Sequence, residues 1–501
     1  MTTTDPSPRA LFTHSVLPVT PSQAGPADHE CEVLVVGCGA AGAAAALEAH
    51  AAGAPVTVIE GASGPGGSAA LSGGEIYLGG GTATQRAAGI TNDTAEDMAR
   101  FLNLALGPDA DTDKIADYSA GAVEHHDWLV GHGVPFKPTI WDEPTWVPPT
   151  DDGLMWMGET AHPFASAATP APRGHRVTAD GFGGKVLMAV LTEAIENTGE
   201  IRVDTDTTAL RLVVDQGRVC GVIARRFGEE LHYRAPAVVI TTGGFVDNDA
   251  MLAEHAPALL GLGKNSDGRD DGRGIVMAQA AGAAIRRTST GQIGISTLPG
   301  YMARGIVVDQ RGNRFINEDV YPGLVGIAAH RNHGLKVWVV LDEQAYEEVP
   351  EEQRWGLQPT LVAETLAELE TEMGVPAGAL EHTVTAYNRH AEAGEDPQFH
   401  KSARWLRPLR SPFAAIDVRR GFAPPERGSD GAGGAAVFTL GGLRTDTHGR
   451  VLDLDGRPLA GLYAAGRAAS ELHGGGYISG TSLGPGTFFG RRAGRRAADE
   501  V

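Results

Sequence analysis

The sequence predicts an α/β protein, a Rossmann-like nucleotide-binding domain interrupted by an inserted α+β domain before its C-terminal piece. Three observations lead there. From Glu32, "EVLVVGCGAAGAAAALEAHAAGAPVTVIE" runs as a β-branched stretch, a glycine turn, an alanine-rich helix and a second β-branched stretch, the pattern of a βαβ unit. The 68 glycines cluster beside apolar runs and not in a low-complexity repeat, which suits close backbone approach to a ligand. Between about residues 286 and 430 the pattern turns to mixed strands and helices, after which glycine-rich apolar sequence resumes.

Composition narrows the class. A chain of 501 residues exceeds one simple core, so two or three domains are expected. Hydrophobic residues at 42% and charged ones at 21% are ordinary for a globular enzyme, and a net charge of −21 argues against a nucleic-acid partner. Cys31, Cys38 and Cys220 show neither metal-ligand spacing nor a disulfide framework, so a cytoplasmic location is expected and no metal. No apolar run reaches about 18 residues, so no membrane span is expected. Residues 1–29 lack the charged start and apolar core of a signal peptide and read as a mobile lead-in.

The nucleotide-binding domain is expected over residues 30–285. After the βαβ unit, helical periodicity covers roughly Thr94 to Ala105 and Asp111 to His132. Residues 136–180 are rich in Trp, Met and Pro without periodicity; this stretch is either a subdomain packed on its own aromatics or a wall over an apolar substrate, with Trp141, Trp146, Met155 and Trp156 lining it. A helix near Lys185 to Asn197 and strands in "TTALRLVVDQGRVCGVIARR" and "APAVVITTGGF" complete the domain. The inserted catalytic domain, 286–430, carries a strand-turn-strand piece at "ARGIVVDQRGNRFINE", a strand at "KVWVVLD", and helices around Thr360 to Glu372 and Gly378 to Ala393. The loop "GFAPPERGSDGAGG" is expected to be the hinge back to the C-terminal piece, 431–501.

Gly37, Gly39 and Gly42 form G-x-G-x-x-G between a strand and a helix. The first allows a tight turn, the second lets backbone reach a pyrophosphate, and the third lets helix and strand pack closely. The helix start at Ala40 and Ala41 then offers free N–H groups and the positive dipole end to the diphosphate. Glu60, ending the second strand, is placed to accept both ribose hydroxyls. A second loop of small residues and hydroxyls follows, including Gly66, Gly67, Ser68, Ser72, Gly73 and Gly74. A cofactor running on toward a ring system needs that second cradle, so non-covalent FAD is favoured over NAD.

With "GGSAALSGG", "AVVITTGGF", "DGRGIVMAQAAGA", "GNRFINED", "TLGGLRTD" and "GLYAAGRAASELHGGGYISGTSLG" in this order, the chain resembles the fumarate reductase and 3-ketosteroid dehydrogenase flavoprotein superfamily over nearly all of its length from Glu32. The resemblance implies bound FAD, a catalytic domain inserted before the C-terminal segment, and further cofactor contacts at Ala209, Thr242, Gly243, Asp271, Gly272, Gly466, Thr481, Ser482 and Leu483. Members exchange a hydride at flavin N5 with a carbon next to an activating carbonyl.

Within that family, a reductase of small dicarboxylates uses a His before the "T-x-G-G" turn and an Arg in an "F-G-R"-like turn; this chain has Phe438 at the first position and His400 and Lys401 in the second region. A phenyl cannot pair with a carboxylate, and Lys does not reproduce the guanidinium fork. The "GGYxSGTSLG" turn and the Tyr after "FINED" resemble the 3-ketosteroid Δ4-(5α)-dehydrogenases, whereas the Δ1-dehydrogenases have Pro and Gly where this chain has Ile478 and Ser479. An apolar ring ketone, a 3-ketosteroid, is therefore the expected substrate, with desaturation at C4–C5 and the electron acceptor unassigned. Tyr321, Tyr477 and Ser479 are the expected catalytic residues: the tyrosines polarise the ketone or pass a proton, and Ser479 relays it. His473 ranks behind them.

Overall fold

A computed structural model describes residues 15–420 and 435–501. The expected hinge, Gly421 to Gly434, lies outside the described residues, as does the first half of the lead-in.

The βαβ unit forms as its pattern requires. Strands Val33–Val36 and Val56–Ile59 pair in parallel and are buried on both faces, which explains their unbroken apolar runs. They lie in a six-stranded sheet whose order, from one edge, is 450–452, 458–464, 237–240, 33–36, 56–59 and 202–204. The C-terminal strand Pro458–Ala464 thus inserts beside Ala237–Ile240, bringing the chain's end back to its beginning. A second, four-stranded sheet is built mainly from the antiparallel strands Thr207–Asp215, Arg218–Arg226 and Glu229–Arg234.

The described part of the lead-in, from residue 15, forms regular structure. Pro21–Ala24 forms a helix under a capping box from Thr20 and Gln23, Val19 bridges Val213, and His29–Glu30 pairs with Tyr233–Arg234. The free edge of the four-stranded sheet supplies the backbone partners that the lead-in cannot make locally.

Two helices match their sequence signals closely. Ala95–Ala105 and Thr112–Gly131 are capped by Thr94 and Asp111, whose side chains accept from Asp97 N and Lys114 N. Residues 136–180 contain short strands, Ile140–Trp141 and Leu154–Met155, joined with Gly174–Arg176 and Glu75–Tyr77 into a small sheet. Non-local pairing of this kind leaves no period in the sequence.

The segment between residues 286 and 420 holds its own core. Strands Ile306–Asp309, Val337–Asp342, Leu361–Ala363 and Phe413–Asp417 form a sheet against which helices Leu366–Met373 and Ala379–Glu392 bury Leu369, Leu380 and Val384. The helix expected from Thr360 starts later, because Leu361–Ala363 is taken as an edge strand. Only a bridge, Val308 to Arg314, stands for the second strand of the expected strand-turn-strand piece, since Arg314 turns inward to Glu318 and Asp396 at 2.7 and 2.8 Å.

The C-terminal helix Leu483–Asp499 seats the helix Ala40–Ala51. A methyl group added at Gly490 or Gly494 would stand 2.4 or 2.1 Å from the carbonyl oxygens of Ala41 and Ala45, so the two backbones touch along a stripe of small residues. Gly494→Val should therefore lower stability by ~3 kcal/mol through overpacking against rigid backbone. Denaturant titration with an unchanged midpoint would contradict that close contact.

Candidate active site

A cavity of about 690 Å³ runs from the glycine turn at 37–39 to the C-terminal turn at 477–480. At the nucleotide end it is lined by Gly37, Gly39, Ala40, Ala41, Glu60, Gly67, Ser68, Ser72, Gly73, Ala209, Thr242, Gly243, Asp271, Gly466, Ser482 and Leu483, all expected from sequence. Five expected residues are not in the lining. Gly42 packs on Gly37, Gly74 on the Gly183 backbone and Gly272 on Met251, while Gly66 donates its N–H to Cys38 O at 2.9 Å. Thr481 is fully buried and braces its own turn, its Oγ1 donating to Ile478 O at 2.5 Å and meeting His473 Nε2 at 2.8 Å.

Several features of the nucleotide end ask for a diphosphate-bearing ligand. Helix Ala40–Ala51 begins at Gly39 with no side-chain cap and no acidic residue in its first turn, so its leading N–H groups lack side-chain acceptors. Helix Leu483–Asp499 opens on the same cavity, also uncapped by a side chain. Thr242 Oγ1 is buried without a partner at the cavity wall. A methyl group at Gly39 would find nothing closer than Gly66 O at 3.9 Å, so the space above that turn belongs to a ligand and not to protein. Glu60 is held by Cys38 N and Ala62 N, each at 2.7 Å.

The other end of the cavity is aromatic. Trp146 meets Tyr321 at 6.5 Å between ring centroids, Tyr321 meets Tyr477 at 6.4 Å, and Phe438 stands edge-on to Tyr477 at 5.4 Å. Trp146 is fixed by donation from its Nε1 to Thr297 O at 2.7 Å. Trp141, Met155 and Trp156 do not reach the cavity; of the four residues expected to wall the substrate, only Trp146 does. Sheet pairing at 140–141 and 154–155 holds those two pairs in place.

Tyr321 is the N-cap of helix Pro322–His333, and Ser479 lies in the C-terminal turn. Hydrogen bonding with Ser479 acts on Tyr321, Tyr477 and Glu75, so the serine sits among all three. Burial raises both phenols far above their ordinary range, which keeps them protonated, as donors, at neutral pH. Burial also pushes the Glu75 carboxyl up to about 7, against the opposing pull of its own N–H, Arg176 and Ser479. His473 is pushed down to about 3 by burial and then by Arg287, so it is a neutral ring, stacked on Tyr477 at 5.5 Å. It supports the tyrosine and is not in the cavity wall.

Sequence reading passed over Glu75, Arg467 and Gln292, which also line this cavity. The two glycines before Glu75 drew attention away from it, and no spacing rule connects an acid on one short strand with a turn some four hundred residues later. The cations in the lining are all engaged: Arg467 with Asp270, Arg273 with Asp271 at 3.2 Å, and Arg269 with Gly61 O at 2.9 Å. Lys401 is buried elsewhere, near Glu318 at 3.7 Å and donating to Gly305 O, and His400 packs on His162.

A Rossmann-type cradle opening into an aromatic pocket with buried hydroxyls defines a flavin-dependent oxidoreductase. The chain belongs to the family described as FAD binding domain, which matches residues 32–483, and its cofactor is FAD. The crystal structure of 3-ketosteroid-Δ4-(5α)-dehydrogenase from Rhodococcus jostii RHA1 in complex with 4-androstene-3,17-dione is 44% identical, with a TM-score of 0.90, covering 96% of this chain and 99% of that one. The 3-oxosteroid 1-dehydrogenase of Mycobacterium tuberculosis is 27% identical over 94% of this chain and 99% of its own length. NADH:acrylate oxidoreductase of Vibrio harveyi is 28% identical over 78% of this chain, which spans 37% of that longer protein. Among the described residues, no helix is long and apolar enough to cross a membrane and no group of acids, His and Cys could hold a metal ion.

The residues present fit FAD: the uncapped helix starts would take the diphosphate, Glu60 would take the ribose, and Thr242 Oγ1 would meet a polar atom at the cavity wall. Because a methyl group at Gly39 clashes with no protein atom, Gly39→Ala should leave the melting of the apoprotein unchanged and weaken FAD at least ~10-fold, by intruding on the ligand's space. Flavin retention through gel filtration checks this; full retention would move the diphosphate off that turn.

Proposed function

We propose that the chain desaturates saturated 3-ketosteroids between C4 and C5, giving a 4-ene-3-one. The observation that carries this reading is the packing of two protonated phenols, Tyr321 and Tyr477, around Ser479 at the aromatic end of the FAD cavity. The 44% identity with the Rhodococcus jostii enzyme supports it, as does the absence of an unengaged cation in the lining for a small dicarboxylate.

When bound, FAD supplies the two-electron oxidant that takes the C5 hydrogen with its electron pair. The protein's part is the carbonyl and the proton. Trp146 and Phe438 offer the flat apolar faces that a fused ring system packs against, and their exclusion of water strengthens every polar contact inside. A phenol O–H from Tyr477 onto the C3 oxygen stabilises the enolate character that acidifies C4. Ser479 accepts the C4 proton as its own leaves, and Tyr321, which lines the same end of the cavity, holds that hydroxyl in line. His473, stacked beneath Tyr477 and tied to Thr481, fixes the phenol ring.

Two measurements test this. 5α-Androstane-3,17-dione should bleach the bound flavin anaerobically and yield the 4-ene product, with no bleaching by succinate; bleaching by neither acid nor steroid defeats the substrate assignment. Tyr477→Phe should lose at least ~100-fold in turnover, in line with removing one donor to a developing oxyanion, while FAD stays bound. Near-normal turnover takes Tyr477 out of the chemistry.

A further inference from the structure

The reading above leaves a proton without a destination. Both tyrosines already carry theirs, a serine hydroxyl is too weak a base to keep a second one, and His473 turns toward Thr481. Among the described residues, Arg467 also reaches this end of the cavity, but it is a guanidinium paired with Asp270 and is no base; the group left that can take a proton is Glu75.

Glu75 stands on the strand Glu75–Tyr77 and lines the cavity, yet its residue is only 6% exposed. Its Oε1 is buried with no hydrogen-bond partner. Arg176 is its register partner on the paired strand Gly174–Arg176, yet no ion pair joins them: its terminal N–H groups donate to the carbonyls of Thr150, Ala179 and Gly181, and its Nε is buried without a partner. Most other acids that the chain buries are held by cations, while Glu159 and Glu370 accept from neutral donors, Tyr77 Oη and Met157 N in one case and Gly378 N and Glu381 N in the other. Asp93 meets Arg173 at 2.6 Å, Glu318 meets Arg314 at 2.7 Å, and Glu471 meets Lys114 at 3.4 Å. Burying a carboxyl without such a partner is costly, and a structural role would be met as well by an amide. The charged or titratable groups that interact with it are Arg176, Tyr321 and Tyr477, and the Ser479 hydroxyl, which lines the same cavity, acts on Glu75 and on both tyrosines.

We propose that Glu75 is the terminal proton acceptor of the site, receiving the Ser479 proton as Ser479 takes the one leaving C4. This rests on the desaturation reading. The step balances: the C4–H electron pair becomes the new C4–C5 π bond, C5 loses its hydrogen with its pair to the oxidant already named, Ser479 regains an O–H, and the Glu75 carboxylate becomes a carboxylic acid. Glu75 acts through Ser479 and needs no contact with the steroid. Since it lines the cavity, product departure re-exposes it to water and returns the proton. A carboxyl that burial has raised to about 7 suits this, because a base poised near the working pH both accepts and releases.

The test is stopped-flow bleaching of the FAD-loaded enzyme by 5α-androstane-3,17-dione from about pH 5 to about pH 9, where a base of this kind titrates. Glu75 must be ionised to accept, so the wild-type rate should rise with pH through about 7 and then level off. Glu75→Gln should keep its flavin spectrum, lose that limb and fall ~100-fold at the alkaline end, while Glu75→Asp should keep a pH-dependent limb at reduced rate. A Glu75→Gln enzyme within about threefold of wild type, or one that retains the limb, overturns the proposal, since general-base contributions are larger than that. Should Glu75→Gln fail to hold FAD, infrared difference spectra of the wild type decide: a protonated-carboxyl C=O band growing with flavin bleaching supports Glu75, and its absence overturns it. Wild-type enzyme that the steroid does not bleach defeats the desaturation reading itself, and that result is distinct from a normal wild type with an indifferent Glu75→Gln.

Discussion

The site depends on one piece of backbone contact, the seating of turn 474–480 between the end of helix Ala95–Ala105 and strand Glu75–Tyr77. The N–H groups of Gly474, Gly475 and Gly476 all converge on Leu106 O, at 3.1, 2.9 and 3.0 Å. A methyl group at Gly476 would stand 2.0 Å from Ala105 O, and one at Gly480 would stand 2.4 Å from Tyr77 N. Only bare backbone fits such a slot. With both ends of the turn pinned, Tyr477 and Ser479 have little freedom, and the geometry of the hydroxyl cluster follows from the helix and the strand behind it.

The same contact joins Glu75 and the hydroxyls into one site. Tyr77 N donates to Gly480 O at 3.2 Å, so the strand that carries Glu75 is hydrogen-bonded to the turn that carries Ser479. Tyr118, whose hydroxyl donates to Tyr77 O, holds the strand from its other side. Around this frame burial acts uniformly in one direction, disfavouring charge: the phenols stay protonated, His473 stays neutral, and the Glu75 carboxyl moves up toward neutrality. Donors and the acceptor thus differ by chemistry alone in a common dry environment, which is the condition under which proton transfer among them needs little rearrangement.

Local signals carried most of the cradle. Strand, glycine turn and helix at 33–51 and the acid at Glu60 are contiguous, so their spacing survives in the sequence and the structure keeps them together. The aromatic end was legible only in part. Phe438 and Trp146 line the cavity, while Trp141 and Met155 are drawn into a small sheet whose pairing partners include a strand distant in sequence, and Trp156 follows directly after it. The glycine-rich turn was noticed for its composition, but most of its glycines accommodate protein backbone and not a ligand.

By itself, the sequence determined the class of cofactor and the α/β architecture, because the strand, glycine turn, helix and terminal acid are contiguous and their local geometry has few alternatives; it also singled out Tyr321, Tyr477 and Ser479, which the fold brings to one cavity. Tertiary structure alone decided that Glu75 joins them, that Thr481 and His473 brace the turn, and that the lining cations are engaged. Those outcomes depend on burial and on partners from distant strands, and burial is a property of the folded surface that no local pattern encodes.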